Sequence, residues 1–456
     1  MSFEQAFQAL LSRSKSLKIK QLAAQASALR AQAVRDLDQP MIVAGASAGY
    51  YQLETHLSTQ GLRQRLHDYG AGLLTQLPEG LGAELGAGIG DGLGQLWQMQ
   101  VPEQVGIRRE DFFTRINLGF VAPIYSAGRI EAVQDFLGAR AQLDWSEAVV
   151  AREDVLRLLV NRYFLVQLAR SAVAVREEAL EATLAHDYAA ERMLAVGLIA
   201  KAQRLQGKVA LSEARLALEK ARDDLHLAEQ ALAALLSAKI KPSTGLFVDF
   251  APLEPVYQWQ ARARAHYPAL QKITAKKNQA LALKQFSEAN WSPTLSAFGL
   301  GSLGDGAHSW AVGVQARWLL HSPLDRQKMN EAADLALEQV FWVEAQALED
   351  VDLLVEKNWL ALSQAQQRFI ALKADEALAY EALTLTEAGF REGLNTVIEL
   401  NDAQARVAKI KTQQMQAAYD YVQALAELLA ATGDLDKMQE YIERAEVRLP
   451  VQWDKE

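Results

Sequence analysis

The sequence predicts a mainly α chain: long antiparallel coiled-coil helices, an α-barrel, carrying a small β-barrel with four transmembrane strands per protomer. Three observations lead there. The chain is duplicated internally at a fixed spacing. Each half holds a helical pattern of roughly sixty residues or more, too long for a compact domain. Each half also holds short alternating segments with an apolar face suited to hydrocarbon.

The duplication is read from pairs. Ser126 pairs with Ser322, Gly197 with Gly393, Leu198 with Leu394, Ala221 with Ala417 and Leu232 with Leu428, all 196 positions apart. Upstream, Leu17 pairs with Leu270 and Pro40 with Pro293, both 253 apart. The difference, 253 − 196 = 57, is an insertion in the first half. It lies at about 53–110 and is rich in glycine, with Gly80, Gly82, Gly86, Gly88, Gly90, Gly92 and Gly94. No strand–GxGxxG–helix unit surrounds them, so they are not a dinucleotide fingerprint. Repeat one is expected to span 1–242 and repeat two 243–456, within one elongated protomer.

The same elements recur in each repeat. Residues 2–39 lack Gly and Pro and read as one helix that Pro40 ends. Strands are expected at about 41–52 and 113–125, the second with Ile116, Leu118, Phe120, Ala122 and Ile124 on one face. A helix follows over about 129–194, a tip at about 195–203 broken by Gly197, and a helix over about 203–238. In repeat two the expectation is a helix over about 254–290 and strands at about 293–303 and 309–320. A helix over about 327–390, a tip at about 390–399, a helix over about 397–431 and a C-terminal equatorial segment at about 433–456 complete it. At about 1.5 Å per residue, the longest helices run roughly 100 Å. Leu211, Leu218, Leu225 and Leu232, with Ala214, Ala221, Ala228 and Leu235, form a heptad seam. Taken alone, that segment reads as a two-chain coiled coil; its alternation of large and small residues also suits antiparallel helix pairs.

In the 309–320 strand, Trp310, Val312, Val314, Ala316, Trp318 and Leu320 share one face. The two tryptophans lie about 26 Å apart at 3.3 Å per residue, close to the height of a transmembrane barrel's apolar band with its aromatic girdles. A soluble sheet packed on a core is the competing reading of any single strand. Four strands cannot close a barrel, which needs at least eight, so a membrane reading requires oligomerisation, and three copies would supply twelve.

The composition sets limits. The 456 residues are 50% hydrophobic and 23% charged, which excludes a disordered chain. No run approaches eighteen consecutive apolar residues, so no segment reads as a spanning helix. A net charge of −9 is not the basic footprint of a nucleic-acid binder, and no nucleic-acid partner is expected. With no cysteine, disulfide frameworks, Cys-ligated zinc, iron–sulfur clusters and cysteine nucleophiles are excluded, and so is the usual acylation site of a bacterial lipoprotein in this chain. No signal peptide is visible before Met1-Ser2-Phe3-Glu4; if the protein is exported, the expectation is a mature form with an added Met. The seven histidines show no metal spacing, and HExxH, a P-loop and a nucleophile elbow are missing. No enzyme, catalytic residue, metal or cofactor is expected.

The duplicated helix–strand–strand–long helix–tip–helix order resembles the TolC-like outer-membrane efflux and secretion channels over nearly the whole chain. Glu387-Ala-Gly-Phe-Arg-Glu-Gly-Leu-Asn-Thr-Val-Ile-Glu-Leu-Asn-Asp-Ala-Gln is close to that family's second tip motif, and Leu194-Ala-Val-Gly-Leu-Ile-Ala to its first. His266-Tyr-Pro-Ala-Leu resembles the motif that opens each repeat, from which Ser14-Lys-Ser-Leu17 departs. The resemblance implies a homotrimer in outer-membrane lipid: a twelve-stranded barrel continued by a helical tunnel through the periplasm of a bacterium. It implies a passive exit duct for drugs or proteins, serving a tripartite efflux pump or type I secretion system with a periplasmic adaptor and an inner-membrane pump. A soluble coiled-coil scaffold or pore-forming protein is the rival reading.

The resemblance also assigns residues. Gly197, Leu198, Gly393 and Leu394 would be tip turns that dock the adaptor. Glu399 and Asp402, on one helical face, would form an acidic ring of six carboxylates in a trimer, a cation-preferring and pH-sensitive entrance. Gln203, Phe390 and Asn395 would neighbour the gate; they depart from the acidic, Tyr and basic residues of other members, so the inter-helix ionic lock of those members is not expected. Trp310 and Trp318 would be girdle residues.

Overall fold

The computed structural model describes residues 1–52, 110–197, 199–304 and 307–450. The Gly-rich insertion and Leu198 lie outside them. In chain order the elements are α1 (Phe3–Arg13), α2 (Lys15–Ala33), β1 (Met41–Gln52), β2 (Glu110–Tyr125), α3 (Arg129–Ala195), α4 (Lys201–Leu236) and β3 (Phe247–Val248). They continue with α5 (Val256–His266), α6 (Pro268–Ala289), β4 (Thr294–Gly304), β5 (Ala307–Arg317), α7 (Arg326–Arg391) and α8 (Val397–Thr432). A 3-10 turn at Leu435–Lys437, α9 (Met438–Arg444) and β6 (Val447–Arg448) follow.

Two expected helices are each broken once. The stretch 2–39 divides at Ser14, whose backbone turns extended at φ −65° and ψ 113°. The Ser14 hydroxyl accepts from the Leu17 amide, so a serine that reads as ordinary helix starts a second one. The stretch 254–290 divides at Tyr267, because Pro268 disfavours a helical conformation at the residue before it while suiting the first turn of α6. Strand β5 also ends earlier than expected, at Arg317, so Trp318 and Leu320 lie beyond it.

The chain forms two compact units, each drawing segments from both repeats: Met1–Gln25, Leu143–Thr274 and Trp342–Glu456 in one, Ala26–Gln142 and Ala275–Phe341 in the other. The first has an aromatic-rich core. Phe3 meets Tyr163 edge-on with centroids 5.5 Å apart, Phe164 meets Phe247 at 5.9 Å, and Phe247 meets Tyr421 at 6.2 Å. The Tyr163 hydroxyl accepts from the amides of Ser243 and Thr244 and donates to the Met1 carbonyl, so the buried phenol is satisfied. One window of α3 is apolar enough, by length and composition, to cross a membrane although its apolar residues are not consecutive; half of it is buried inside the protein. That burial fits a core helix. The heptad seam also turns inward: Leu218 and Ala221 are buried against Val173, with Leu180 and Leu225 packed beside them, so the seam joins helices of one chain rather than of two.

The second unit carries an antiparallel sheet of order β1-β2-β4-β5, with β1 and β5 at its edges. Its register fixes the faces. Ile42, Phe120, Gly299 and Val312 stand in one row; Ala44, Leu118, Gly301 and Trp310 form the next; Ala46, Ile116 and Leu303 follow. This face is apolar along these rows except at His308, which stands opposite Leu303. Gly299 sits directly under the Phe120 ring, where a side chain of its own would clash. In the helices of this unit, Ala132, Val133, Leu137 and Phe286 form a small buried cluster. Arg129 Nη2 donates to the carbonyls of Asn290 (2.7 Å) and Ser292 (3.1 Å), tying the start of α3 to the turn that leads into β4.

Candidate functional site: helix tips and sheet

Both tip turns use a left-handed glycine, Gly197 at φ +77° and Gly393 at φ +73°. A residue with a Cβ is strained there, which is why glycine recurs at both places. Gly393 donates to the Phe390 carbonyl, and Leu394 and Asn395 donate to the Gly389 carbonyl. Leu394 is 81% exposed, an apolar side chain held out at the turn.

Asn395 acts within its own turn. Its Nδ2 donates to the Thr386 carbonyl at 3.2 Å, and its side chain occupies the space that a Cβ on Gly389 would need. Phe390 is 4% exposed in a cluster with Ala190, Leu383, Val397, Leu400 and Val407. It is a packing residue with no hydrogen-bonding group. Asn395 and Phe390 therefore hold the turn by backbone bonding and burial rather than by charge.

Glu399 closes a capping box. The Thr396 hydroxyl accepts from the Glu399 amide at 3.2 Å, and Glu399 Oε2 accepts from the Thr396 amide at 2.7 Å and hydroxyl at 3.0 Å. Bonds from the Thr396 backbone and then its hydroxyl hold the exposed Glu399 carboxyl below its usual range. The pattern Thr396-Val-Ile-Glu399 shows this box directly in the sequence. At the first tip the equivalent Gln203 accepts from the Ala200 amide at 3.0 Å. The two tips thus start their second helix with the same bond, and only one of them carries charge. Asp402 is exposed one turn along the same face.

The structure adds polar groups not singled out from the sequence. Arg204, with a side chain 8% exposed, pairs with Asp187 through both guanidinium nitrogens, and Glu191 lies 3.8 Å away. Glu178 receives hydrogen bonds from Lys411 (2.6 Å) and Tyr380 (3.1 Å), and the Lys411 ammonium stands 4.9 Å from the Tyr380 ring centroid. That cluster links α3, α7 and α8. Burial lowers the pKa of His186, with Glu387 acting against it and Arg391 with it. No sequence spacing reveals these pairs, because their members lie 13 to 233 positions apart. Among the described residues no group of His, Asp or Glu could hold a metal ion.

In the sheet, Trp310 is 76% and Trp318 62% exposed. Trp310 stands on the apolar face near the β4–β5 connection. Trp318 lies just past β5, and its indole Nε1 donates to the Trp291 carbonyl at 3.2 Å. Tyr50 and Phe112 are opposite each other where β1 and β2 approach the insertion. Aromatic side chains therefore mark both ends of the sheet.

Comparison with known proteins agrees with this geometry. Residues 259–434 match the family model described as outer membrane efflux protein. No curated protein matches the sequence. Among solved structures, the outer membrane protein VceC of Vibrio cholerae is similar over 94% of this chain and 96% of its own, at 13% identity and a TM-score of 0.74. The CmeC outer membrane channel of Campylobacter jejuni is similar over 98% of this chain and 90% of its own, at 13% identity and 0.74. CusC, described in connection with transmembrane channel formation, is similar over 94% and 91%, at 13% identity and 0.75. At such identities these likenesses speak for the fold. Residues 259–434 thus match the outer membrane efflux protein model, and the chain as a whole has the fold of these channel structures.

Proposed function

We propose that the protein is the passive outer-membrane exit duct of a tripartite efflux pump or a type I secretion system, working as a homotrimer. The sheet is the observation that carries this reading. Its edge strands β1 and β5 run in opposite directions, because each successive pair in the order β1-β2-β4-β5 is antiparallel. The β5 edge of one copy can therefore pair antiparallel with β1 of the next, which removes the free edges. Four strands are too few to close, and three copies supply twelve. The apolar face then meets lipid, with Trp310 and Trp318 at its margins.

The tips are the periplasmic entrance. Gly197, Leu198, Gly393 and Leu394 form the turns that dock a periplasmic adaptor. Glu399 and Asp402 line a narrow acidic ring that favours cations. Opening follows when adaptor and inner-membrane pump draw the helix pairs outward, loosening the contacts of Glu178 with Tyr380 and Lys411. The duct supplies no energy of its own.

The test is the mass of the detergent-solubilised complex together with its conductance in planar bilayers. Three copies and a cation-selective current, reduced by Glu399→Gln with Asp402→Asn, are expected. Recovery as a monomer from the aqueous fraction without detergent would overturn the duct in favour of a soluble scaffold.

A further inference from the structure

We propose that the second face of the β1–β2–β4–β5 sheet carries an apolar collar that binds the hydrophobic body of an amphipathic organic anion in transit. This rests on the barrel reading above, in which that face lines the lumen. The lumen face of a transmembrane barrel is ordinarily polar, and most rows here are. One row sets Asn117 opposite Ser302, with Gly45 and Ser309 completing it. Another sets Ser296 opposite Gln315.

Two successive rows between them break the pattern. In the first, Val43 and Leu300 flank Gly119; in the second, Met41, Val121 and Phe298 stand side by side. The Phe298 ring covers Gly313, and the Leu300 side chain covers Gly119, so the collar is packed laterally as well as in register. Met41 and Val43 are each 37% exposed, leaving apolar surface open on this face. A band of this kind sheds water, so it opposes small hydrated ions and favours solutes with an apolar body.

The charge beyond the collar selects the head group. Arg115 stands in the row past Asn117, opposite Gly304, and Arg317 in the row past Gln315, opposite Thr294. Across these rows, from Arg115 to Arg317, both charged positions are arginine. An anionic head reaches one or the other while the body occupies the collar.

The experiment uses the full chain in planar bilayers. Octanesulfonate and methanesulfonate, which share a head group, are added to both compartments, with octyltrimethylammonium as the cationic counterpart. Block of the wild-type current by octanesulfonate is expected at concentrations at least tenfold lower than by methanesulfonate. The Met41→Ser, Val43→Ser variant should cut that ratio below threefold. Phe298→Ser should act alike if it assembles; the more exposed pair carries the test if it does not. Arg115→Gln should weaken block by both sulfonates and leave their ratio. Equal block by the two sulfonates in wild type overturns the collar, as does a ratio that survives the Met41 and Val43 changes in a conducting channel. Equal potency of octyltrimethylammonium overturns the anion assignment. Absence of current in wild type instead overturns the duct reading, and the collar with it.

Discussion

Replacing Glu153 by Gln should remove a pH dependence of stability that the wild type carries in a defined window. Glu153 is 7% exposed on α3. Oε1 accepts from Arg152 at 3.1 Å, while Oε2 is buried without a partner. Arg152 also binds Asp436 at 2.7 Å, and Arg157 binds Glu427 at 2.9 Å and Asp154. The two arginines are thus shared with three other carboxylates, and burial is left to dominate. Tyr267 and Pro268 complete a cavity of about 50 Å³ beside it. Burial, opposed by Arg152 and helped by Asp436, pushes the carboxyl from 4.5 up to about 7. The folded protein then keeps this proton where the unfolded chain has lost it. Stability is fully present below pH 4.5 and falls as pH rises toward about 7, beyond which it is flat. At about 1.4 kcal/mol for each pH unit between the two values, the span is about 3 kcal/mol. Glu153→Gln, neutral throughout, should flatten the curve in this window and make the protein the more stable at pH 8. Thermal midpoints by circular dichroism in detergent, taken from pH 4.5 to 8, should separate the two proteins by several degrees at the alkaline end. Parallel curves for wild type and variant would refute burial as the dominant influence.

Two further outcomes are expected. Asp187→Asn leaves the buried Arg204 guanidinium with only the exposed Glu191 carboxylate, 3.8 Å away, as counter-charge and should cost about 3 kcal/mol, of which Asp187→Leu with Arg204→Met recovers most; denaturant titration reads both, and an unchanged midpoint in the single variant would contradict the buried pair. Glu399→Gln should keep the helix start intact, as Gln203 does at the first tip, whereas Glu399→Ala should loosen it, seen as faster hydrogen exchange at amides 397–400. The wild-type cap should persist as pH falls through the ordinary carboxylate range and fail only below it, because the Glu399 carboxyl is held low.

The order of elements was legible because helix and strand periodicities are local properties. Gly197 and Gly393 announce their turns, since only a residue without Cβ adopts that backbone easily. The capping box at Thr396 and Glu399 was written in the sequence too, although the carboxylate invites a purely electrostatic reading. The break at Ser14 was not legible, because a serine inside a helical pattern gives no sign of whether its hydroxyl will cap or point to solvent.

By itself, then, the sequence determined the long helices, the glycine turns and the alternating strands with their apolar face. Tertiary structure alone decided the rest. Pairing register turned separate alternations into one largely apolar face and brought Val43, Leu300, Met41, Val121 and Phe298 together on the other. Helix packing set Glu178 beside Lys411, 233 positions away, and buried Arg204 against Asp187. Such contacts depend on which faces meet in space, and the spacing of residues along a chain does not encode that.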